Sequence, residues 1–135
     1  MKVSTKALIL NKDGKILGLR RSETHPTKPF QWDLPGGLVE EGEGLVESIK
    51  REIKEETDLE IRDLKLLHAM AASSSGGDYI ITICYTCVSD IDEVIISWEH
   101  DQYEWLSAEE FLKREINDRT KTFILMNNER KHPQN

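Results

Sequence analysis

The order of hydrophobic patterns along the chain predicts an α/β or α+β fold, with helices on both faces of a mixed β-sheet. Two β-rich segments come first, an amphipathic helix follows, further β-rich segments come next, and helical patterns end the sequence. The chain has 135 residues, of which 38 % are hydrophobic, and this suits one core without disulfide bonds or a structural metal. We therefore expect one domain over residues 1–135.

The first two predicted strands form a hairpin. Residues 2–10 are rich in aliphatic and β-branched side chains, and Asp13-Gly14 is a turn signal before a second strand that starts at Ile16. This strand ends in two arginines, and the simplest interpretation is that both side chains are exposed to solvent at the strand end. Residues 22–31 contain two prolines and are predicted to form a loop.

Residues 44–57 are predicted to form a helix, because apolar residues recur on one face at about 100° per residue. Glu56 projects into this apolar arc, Glu52 lies at its edge, and Glu55 lies one step further round. The residues of the arc are Leu45, Val46, Ile49 and Ile53.

A carboxylate on the buried side of a helix must be paired, protonated or bound to a metal ion, because an isolated buried charge is very costly. The three glutamates also repel one another at neutral pH. A divalent cation that prefers oxygen ligands, such as Mg²⁺ or Mn²⁺, would remove that repulsion. The alternative is an ordinary amphipathic helix with a glutamate-rich surface.

The spacing of these residues decides between the two interpretations. Five residues separate Gly37 from Glu43, and seven more lead to a run that reads Arg51-Glu52-Ile53, any residue, Glu55-Glu56, two residues and Leu59. The pattern resembles the signature of the Nudix (MutT-like) hydrolases and matches eight of its nine specified positions. The departure is Asp58, where the family usually has glycine just past the helix end. Aspartate tolerates the left-handed backbone expected there, so no catalytic group is lost.

The resemblance implies an α/β/α sandwich of the Nudix type with a mixed central sheet, and a single Nudix hydrolase domain over residues 1–135. It implies a Mg²⁺ cofactor, with Mn²⁺ as an alternative, bound by Glu52, Glu55, Glu56 and the Gly36 carbonyl. Glu43 and Arg51 are implied to pair and hold the loop at Gly37 against the helix; we group Arg51 with the catalytic residues.

The resemblance also implies that Arg21, at the end of the second strand, contacts the substrate. Four aromatic residues could stack on a base or belong to the core, and Trp32 is the one we include in the predicted substrate site. The four are Phe30, Trp32, Tyr79 and Tyr103.

The second half of the chain is predicted to hold strands at residues 61–72 and 78–89, joined by a polar turn at 73–77, and a short strand at 94–98. Glu99 stands six residues before Trp105, a spacing that resembles MutT-like enzymes and implies a general base or a further metal ligand. Glu104 competes for this role, and Glu52 is the other candidate base. His100 is predicted to be a surface or loop-packing residue.

The C-terminal part is predicted to be helical. Ser107 and Glu110 form a capping box at the start of one helix, and a last helix begins at Asp118 or Thr120. Residues 127–135 are expected to fray.

Together these features predict a hydrolase of a pyrophosphate bond in a nucleoside diphosphate linked to another group: a nucleoside triphosphate, an ADP-ribose-like compound or a dinucleotide. The alternative is a non-catalytic nucleotide-binding or sensing module. Such a module would be expected to lose a signature carboxylate, whereas this sequence keeps all four.

Composition excludes several other classes. A net charge of −7 argues against nucleic-acid and anionic-membrane binding, so the expected partner is a small nucleotide. We expect no membrane segment and no signal peptide. Cys84 and Cys87 are predicted to be reduced thiols on opposite faces of a strand, which favours a cytoplasmic protein. Both a monomer and a homodimer remain open.

Overall fold

The computed structural model of the chain describes residues 1–74 and 76–131. These residues form seven strands and three helices: β1 (Lys2–Leu10), β2 (Ile16–Arg21), β3 (Trp32–Asp33), β4 (Gly36–Leu38), α1 (Leu45–Thr57), β5 (Arg62–Ser73), β6 (Tyr79–Val88), β7 (His100–Leu106), α2 (Ala108–Leu112) and α3 (Asp118–Lys131).

The strands join in one mixed sheet in the order β3-β2-β1-β6-β5, with β4 added to β1 and β7 added to β2. β1 and β6 run parallel along their whole length, from the pair Lys2–Ile80 to the pair Leu10–Val88, and the other pairs are antiparallel. The prediction of a mixed sheet is confirmed.

Each face of the sheet has its own apolar core. Ile49 and Ile53 of α1 pack on one face, and Phe111 of α2 with Phe123 of α3 pack on the other. Cys84 and Cys87 are buried free thiols that belong to opposite cores, as alternation along β6 predicts. The α/β/α sandwich is therefore confirmed.

The predicted strand at residues 94–98 is wrong. This segment is irregular and crosses the end of α1, where the Ile95 amide donates to the carbonyl of Thr57 at 3.1 Å. Val94 enters the core beside α1. A β-branched run resembles a strand in sequence, but here it makes no ladder with a neighbouring strand.

The C-terminal helices agree with the sequence at their starts. Ser107 and Glu110 form the predicted capping box, and α3 starts at Asp118. The expected fraying from residue 127 is wrong as far as 131, because Arg130 donates to the carbonyls of Leu66 and Leu67 and ties the helix end to β5. Residues 132–135 lie outside the described residues.

Within the described ranges, no helix has the length and apolar character needed to cross a bilayer.

Candidate active site

Two glycines at the start of β4 bring the backbone against α1. Gly36 has φ +146°, and a Cβ there would lie 2.0 Å from the carbonyl oxygen of Thr5. A Cβ on Gly37 would lie 2.7 Å from Glu52 Oε1. Only glycine lets the strand approach β1 this closely and leaves room for the Glu52 carboxylate above it.

Helix α1 presents its acidic residues to this loop at three different depths. Glu56 is 4 % exposed and lies on the same buried side as Ile49 and Ile53. The Glu52 side chain is 13 % exposed, and that of Glu55 is 58 % exposed. The inward position expected for Glu56 is therefore present. Leu45 and Val46 are exposed, contrary to the predicted apolar arc, because the first helical turn extends past the edge of the core.

Glu56 is buried and accepts one hydrogen bond from the described residues. The Gly36 amide donates to its Oε1 at 2.8 Å. Burial raises the pKa of Glu56 to about 8, against the opposing effects of Lys6 and the Gly36 amide, with smaller contributions from the charges of Glu52 and Glu99. Burial also raises the pKa of Glu52, and the nearby Arg51 opposes this shift. Two inward carboxylates thus hold their protons more tightly than usual.

Arg51 connects the loop before α1 to the helix. Its Nε and Nη2 atoms donate to both carboxylate oxygens of Glu43, a bidentate pair. This bonding and the Glu40 amide lower the pKa of Glu43 to about 2. Nη1 of Arg51 lies 3.1 Å from Glu52 Oε1 and 3.2 Å from Glu55 Oε2. The guanidinium therefore orients the predicted ligands, and this geometry fits a positioning residue better than a group that meets the substrate.

Glu99 is the carboxylate of the second half of the chain that faces the α1 acids. It lies immediately before β7, with its side chain 38 % exposed, and its negative charge adds to the pKa increases of Glu52 and Glu56. Glu104 instead pairs with Arg114 at 2.9 Å. Of the two candidates for a general base or further metal ligand, Glu99 therefore has the more suitable position, because it faces the α1 acids.

Of the two places predicted for His100, the surface is wrong, whereas packing against a loop agrees with the structure. The residue is 6 % exposed, its ring centroid lies 6.1 Å from that of His25 in the 22–31 loop, and burial lowers its pKa to about 4. The ring lies at the start of β7, where the strand pairs with Arg21 of β2. A lone histidine in a polar stretch gave no signal of burial.

A buried ionic network that the sequence did not reveal lies beneath the site. Asp33 Oδ2 accepts from Lys6 Nζ at 3.0 Å and from Arg21 Nη2 at 2.8 Å, and Lys6 also donates to the Leu34 carbonyl. These cations, together with Arg119, hold the pKa of Asp33 far below its usual range although burial alone would raise it. A lysine inside an apolar strand and an aspartate between Trp32 and Leu34 were the available signals.

Trp32 and Arg21, the predicted substrate residues, differ in accessibility. Trp32 belongs to the core around α2 and α3, and the Arg114 guanidinium lies 4.7 Å from the centre of its ring. Its indole is therefore packed rather than offered to a ligand. Arg21 is also buried, but it lines a cavity.

The cavity has a volume of about 590 Å³ and lies between β5, β6, the 22–31 loop and the start of α3. Met70, Ile80 and Ile116 supply apolar walls. Three buried polar atoms of its lining residues have no hydrogen-bond partner among the described residues: Arg21 Nε, Gln31 Oε1 and Arg119 Nε. A pocket that combines a few apolar walls with unpaired donors and acceptors suits a ring that carries hydrogen-bonding groups.

The carboxylates of α1 are of the chemical type that binds a divalent cation, although they do not form a complete coordination site. No three acidic, histidine or cysteine side chains in residues 1–74 and 76–131 lie close enough together to ligate an ion. The carboxylates of Glu52 and Glu56 both lie against the Gly36-Gly37 loop, and the pKa of both is raised by burial. A bound cation would compensate this desolvation, and hard oxygen donors suit Mg²⁺ and Mn²⁺.

Comparisons with known proteins agree with this geometry. The NUDIX domain family matches residues 1–125. A nucleoside triphosphatase, NudI of Salmonella arizonae, is 30 % identical over 123 residues, which cover 84 % of this chain and 87 % of that protein. Among solved structures, a MutT protein from Methanosarcina mazei Go1 has a TM-score of 0.85 and 31 % identity, covering 98 % of this chain and 96 % of its own. The NUDIX domain of Shewanella oneidensis NrtR, complexed with ADP ribose, shares the fold with a TM-score of 0.81 at 22 % identity and coverages of 96 % and 87 %.

Proposed function

Since the chain belongs to the Nudix family of hydrolases, we propose that it is a Mg²⁺-dependent pyrophosphohydrolase of nucleoside triphosphates. The observation that carries this proposal is the pair of inward carboxylates, Glu52 and Glu56, beside the Gly36-Gly37 loop. Their raised pKa values fit groups that are completed by a cation rather than by the protein.

The proposed ligands are Glu52, Glu55, Glu56 and the carbonyl of Gly36. Bound Mg²⁺ or Mn²⁺ would neutralise charge on the phosphate oxygens and lower the pKa of an attacking water. Arg51 and Glu43 keep the loop and helix at a fixed separation, and Gly37 keeps the space of the Glu52 carboxylate open.

The general base is proposed to be Glu99. The carboxylate of Glu52 is one of the proposed ligands, and its Oε1 lies 3.1 Å from Arg51 Nη1, whereas Glu99 is partly exposed and has no arginine or lysine within ion-pair distance among the described residues. Glu99 would take one proton from water as the new bond to phosphorus forms and the bridging P–O bond breaks. The products are then a nucleotide and the phosphorylated leaving group.

The organic part of the substrate is proposed to enter the cavity. The lining includes none of the α1 acids, but Arg21 connects the two regions: it lines the cavity and pairs with Asp33, which also binds Lys6, the cation whose charge acts on Glu56. The unpaired atoms of Gln31 and Arg119 would meet the polar edge of a base. The triphosphate class is supported by the name of the NudI relative, a nucleoside triphosphatase.

The test is turnover of a panel of nucleoside triphosphates, ADP-ribose, dinucleoside polyphosphates and nucleotide sugars, each with Mg²⁺, Mn²⁺ or EDTA. We expect metal-dependent cleavage of a triphosphate, and ¹⁸O-labelled water to reveal which phosphorus is attacked. Glu56→Gln should lower kcat more than about 100-fold, beyond the loss typical of residues that only support a metal site. The matched control is Glu47→Gln, which changes an acid on the same helix outside the proposed ligand set.

Other outcomes would redirect the proposal. A preference for ADP-ribose or a dinucleotide would overturn the triphosphate class. Binding without turnover, seen as a nucleotide-dependent increase in the thermal midpoint, would favour a non-catalytic nucleotide-binding module.

We propose a cytoplasmic location, consistent with the two buried free thiols. We also propose a nucleotide rather than a nucleic acid as partner, which a parallel binding assay with RNA and DNA would check.

A further inference from the structure

The 22–31 loop is tied to the backbone of Trp98 and Glu99, the two residues that precede β7. The Ser22 amide donates to the carbonyl of Glu99 at 2.8 Å, and the Ser22 hydroxyl donates to the carbonyl of Trp98 at 2.9 Å. The His25 amide then donates to the carbonyl of Ser22 at 3.1 Å. These bonds fix the backbone that carries His25 relative to the proposed base.

The orientation of the His25 ring is set by its own loop. The Thr27 amide donates to His25 Nδ1 at 3.1 Å, so Nδ1 is an acceptor and the neutral ring carries its hydrogen on Nε2. Nε2 lies 3.9 Å from Glu99 Oε2. That distance is longer than a hydrogen bond, so the contact that we infer requires the Glu99 side chain, which is 38 % exposed, to rotate toward the ring.

No other side chain competes for this carboxylate among the described residues: the ion pair of Glu99 with His25 is the one it makes within 4.0 Å there. His100 is the neighbouring ring, with its centroid 6.1 Å from that of His25. Because burial lowers the pKa of His100 to about 4, this ring is neutral at pH 7 and offers no second charge.

We propose that His25 is a positioning residue that holds the Glu99 carboxylate through its Nε2–H group. The hydrogen bond to one carboxylate oxygen leaves the other oxygen free to face the attacking water and accept its proton. This inference rests on the proposed function, because it takes Glu99 as the base. It adds to the site a residue from a loop that lies outside the family signature.

Two substitutions distinguish the role of Nδ1 of His25 from that of Nε2. The amide group of asparagine lies near the position of Nδ1, so His25→Asn can keep the acceptor for Thr27 but loses the donor toward Glu99. The longer glutamine places an NH₂ group near the position of Nε2, so His25→Gln keeps that donor. His68→Asn, on β5, serves as a histidine control outside the site.

We expect His25→Asn to lower kcat by about 10-fold with little change in KM, comparable to the smaller losses seen when a group that orients a metal ligand is removed. His25→Gln should stay within about 3-fold of the wild type, because it keeps the donor toward Glu99. In a Glu99→Gln background, His25→Asn should cause no further loss, because the two residues act as a unit. Equal losses in the Asn and Gln variants, or an undiminished loss in the Glu99→Gln background, would overturn the proposal.

A second readout does not depend on turnover. The ring ¹⁵N resonances of His25 should identify the Nε2–H tautomer, and Glu99→Gln should shift the Nε2 signal while leaving that of His68 in place. An Nδ1–H tautomer, or an Nε2 signal that does not shift in Glu99→Gln, would overturn the positioning role even in an active enzyme. If no substrate is cleaved but the coupling is present, the proposed function fails while the contact between His25 and Glu99 stands.

Discussion

Replacing Gly37 by alanine should remove activity without unfolding the protein. The new Cβ would lie 2.7 Å from Glu52 Oε1, 2.8 Å from Cδ and 2.9 Å from Oε2. Non-bonded heavy atoms settle at about 3.5 Å, so the carboxylate must retreat by about 0.8 Å. The obstacle is the far end of a flexible side chain, and Gly37 does not have a positive φ, so the backbone accepts alanine.

The two effects differ greatly in size. A misplacement of about 1 Å in a catalytic site can cost about 100-fold in rate, which corresponds to about 2.7 kcal/mol of activation free energy. The free energy of unfolding should change by less than about 1 kcal/mol, because alanine also reduces the conformational entropy of the unfolded chain.

The assay compares kcat with urea unfolding for Gly37→Ala and for Gly76→Ala. The control adds a Cβ whose nearest neighbour is Ser74 Oγ at 3.8 Å, an ordinary contact. A Gly37→Ala protein that is folded and fully active would refute the reasoning, because Glu52 would then not be needed where the structure puts it. Gly36→Ala should unfold instead, since its Cβ meets the Thr5 carbonyl at 2.0 Å and the obstacle is backbone.

Three further predictions concern charge. In EDTA, folded Glu56 keeps its proton to about pH 8 whereas the unfolded group loses it near pH 4.5, so the thermal midpoint of the wild type should fall relative to Glu56→Gln as the pH rises through this window; parallel midpoints would contradict the buried pKa. Mg²⁺ should raise the thermal midpoint of the wild type but not of Glu56→Gln, and an equal rise in both would show that the ion binds at a site that does not include Glu56. Asp33→Asn should lower the free energy of unfolding by about 3–5 kcal/mol, because it leaves Lys6 and Arg21 buried without a carboxylate; a urea-unfolding free energy within about 1 kcal/mol of the wild type would argue against this network.

Local patterns were enough to predict much of the fold. The limits of α1 and of the long strands follow from side-chain periodicity, and the start of α2 follows from the capping box at Ser107. The segment at 94–98 was misjudged because strand formation depends on a neighbour with free hydrogen-bonding groups, which composition does not reveal. The exposure of Leu45 depends likewise on where the sheet ends, not on the helix itself.

The candidate site divides in the same way. The acids of α1 are close in sequence, so spacing alone groups them. Asp33, Lys6 and Thr120 meet only in the folded chain, where the Thr120 hydroxyl donates to Asp33 Oδ1 at 3.2 Å. Contacts between residues so far apart along the chain produce no periodic pattern in a single sequence, so they cannot be predicted from it.

The two most buried acids of the site differ in what surrounds them, and this difference carries the functional argument. Asp33 is bonded to Lys6 and Arg21, and the pKa of its carboxyl lies far below the usual range. Within the part of the chain that the structure describes, Glu56 accepts one hydrogen bond, from the Gly36 amide, and its pKa is raised to about 8. The same protein therefore compensates one buried carboxylate completely and leaves the other under-compensated. A structural acid needs the first environment, whereas a ligand for an exchangeable cation needs the second, because full pairing within the protein would leave the cation nothing to neutralise.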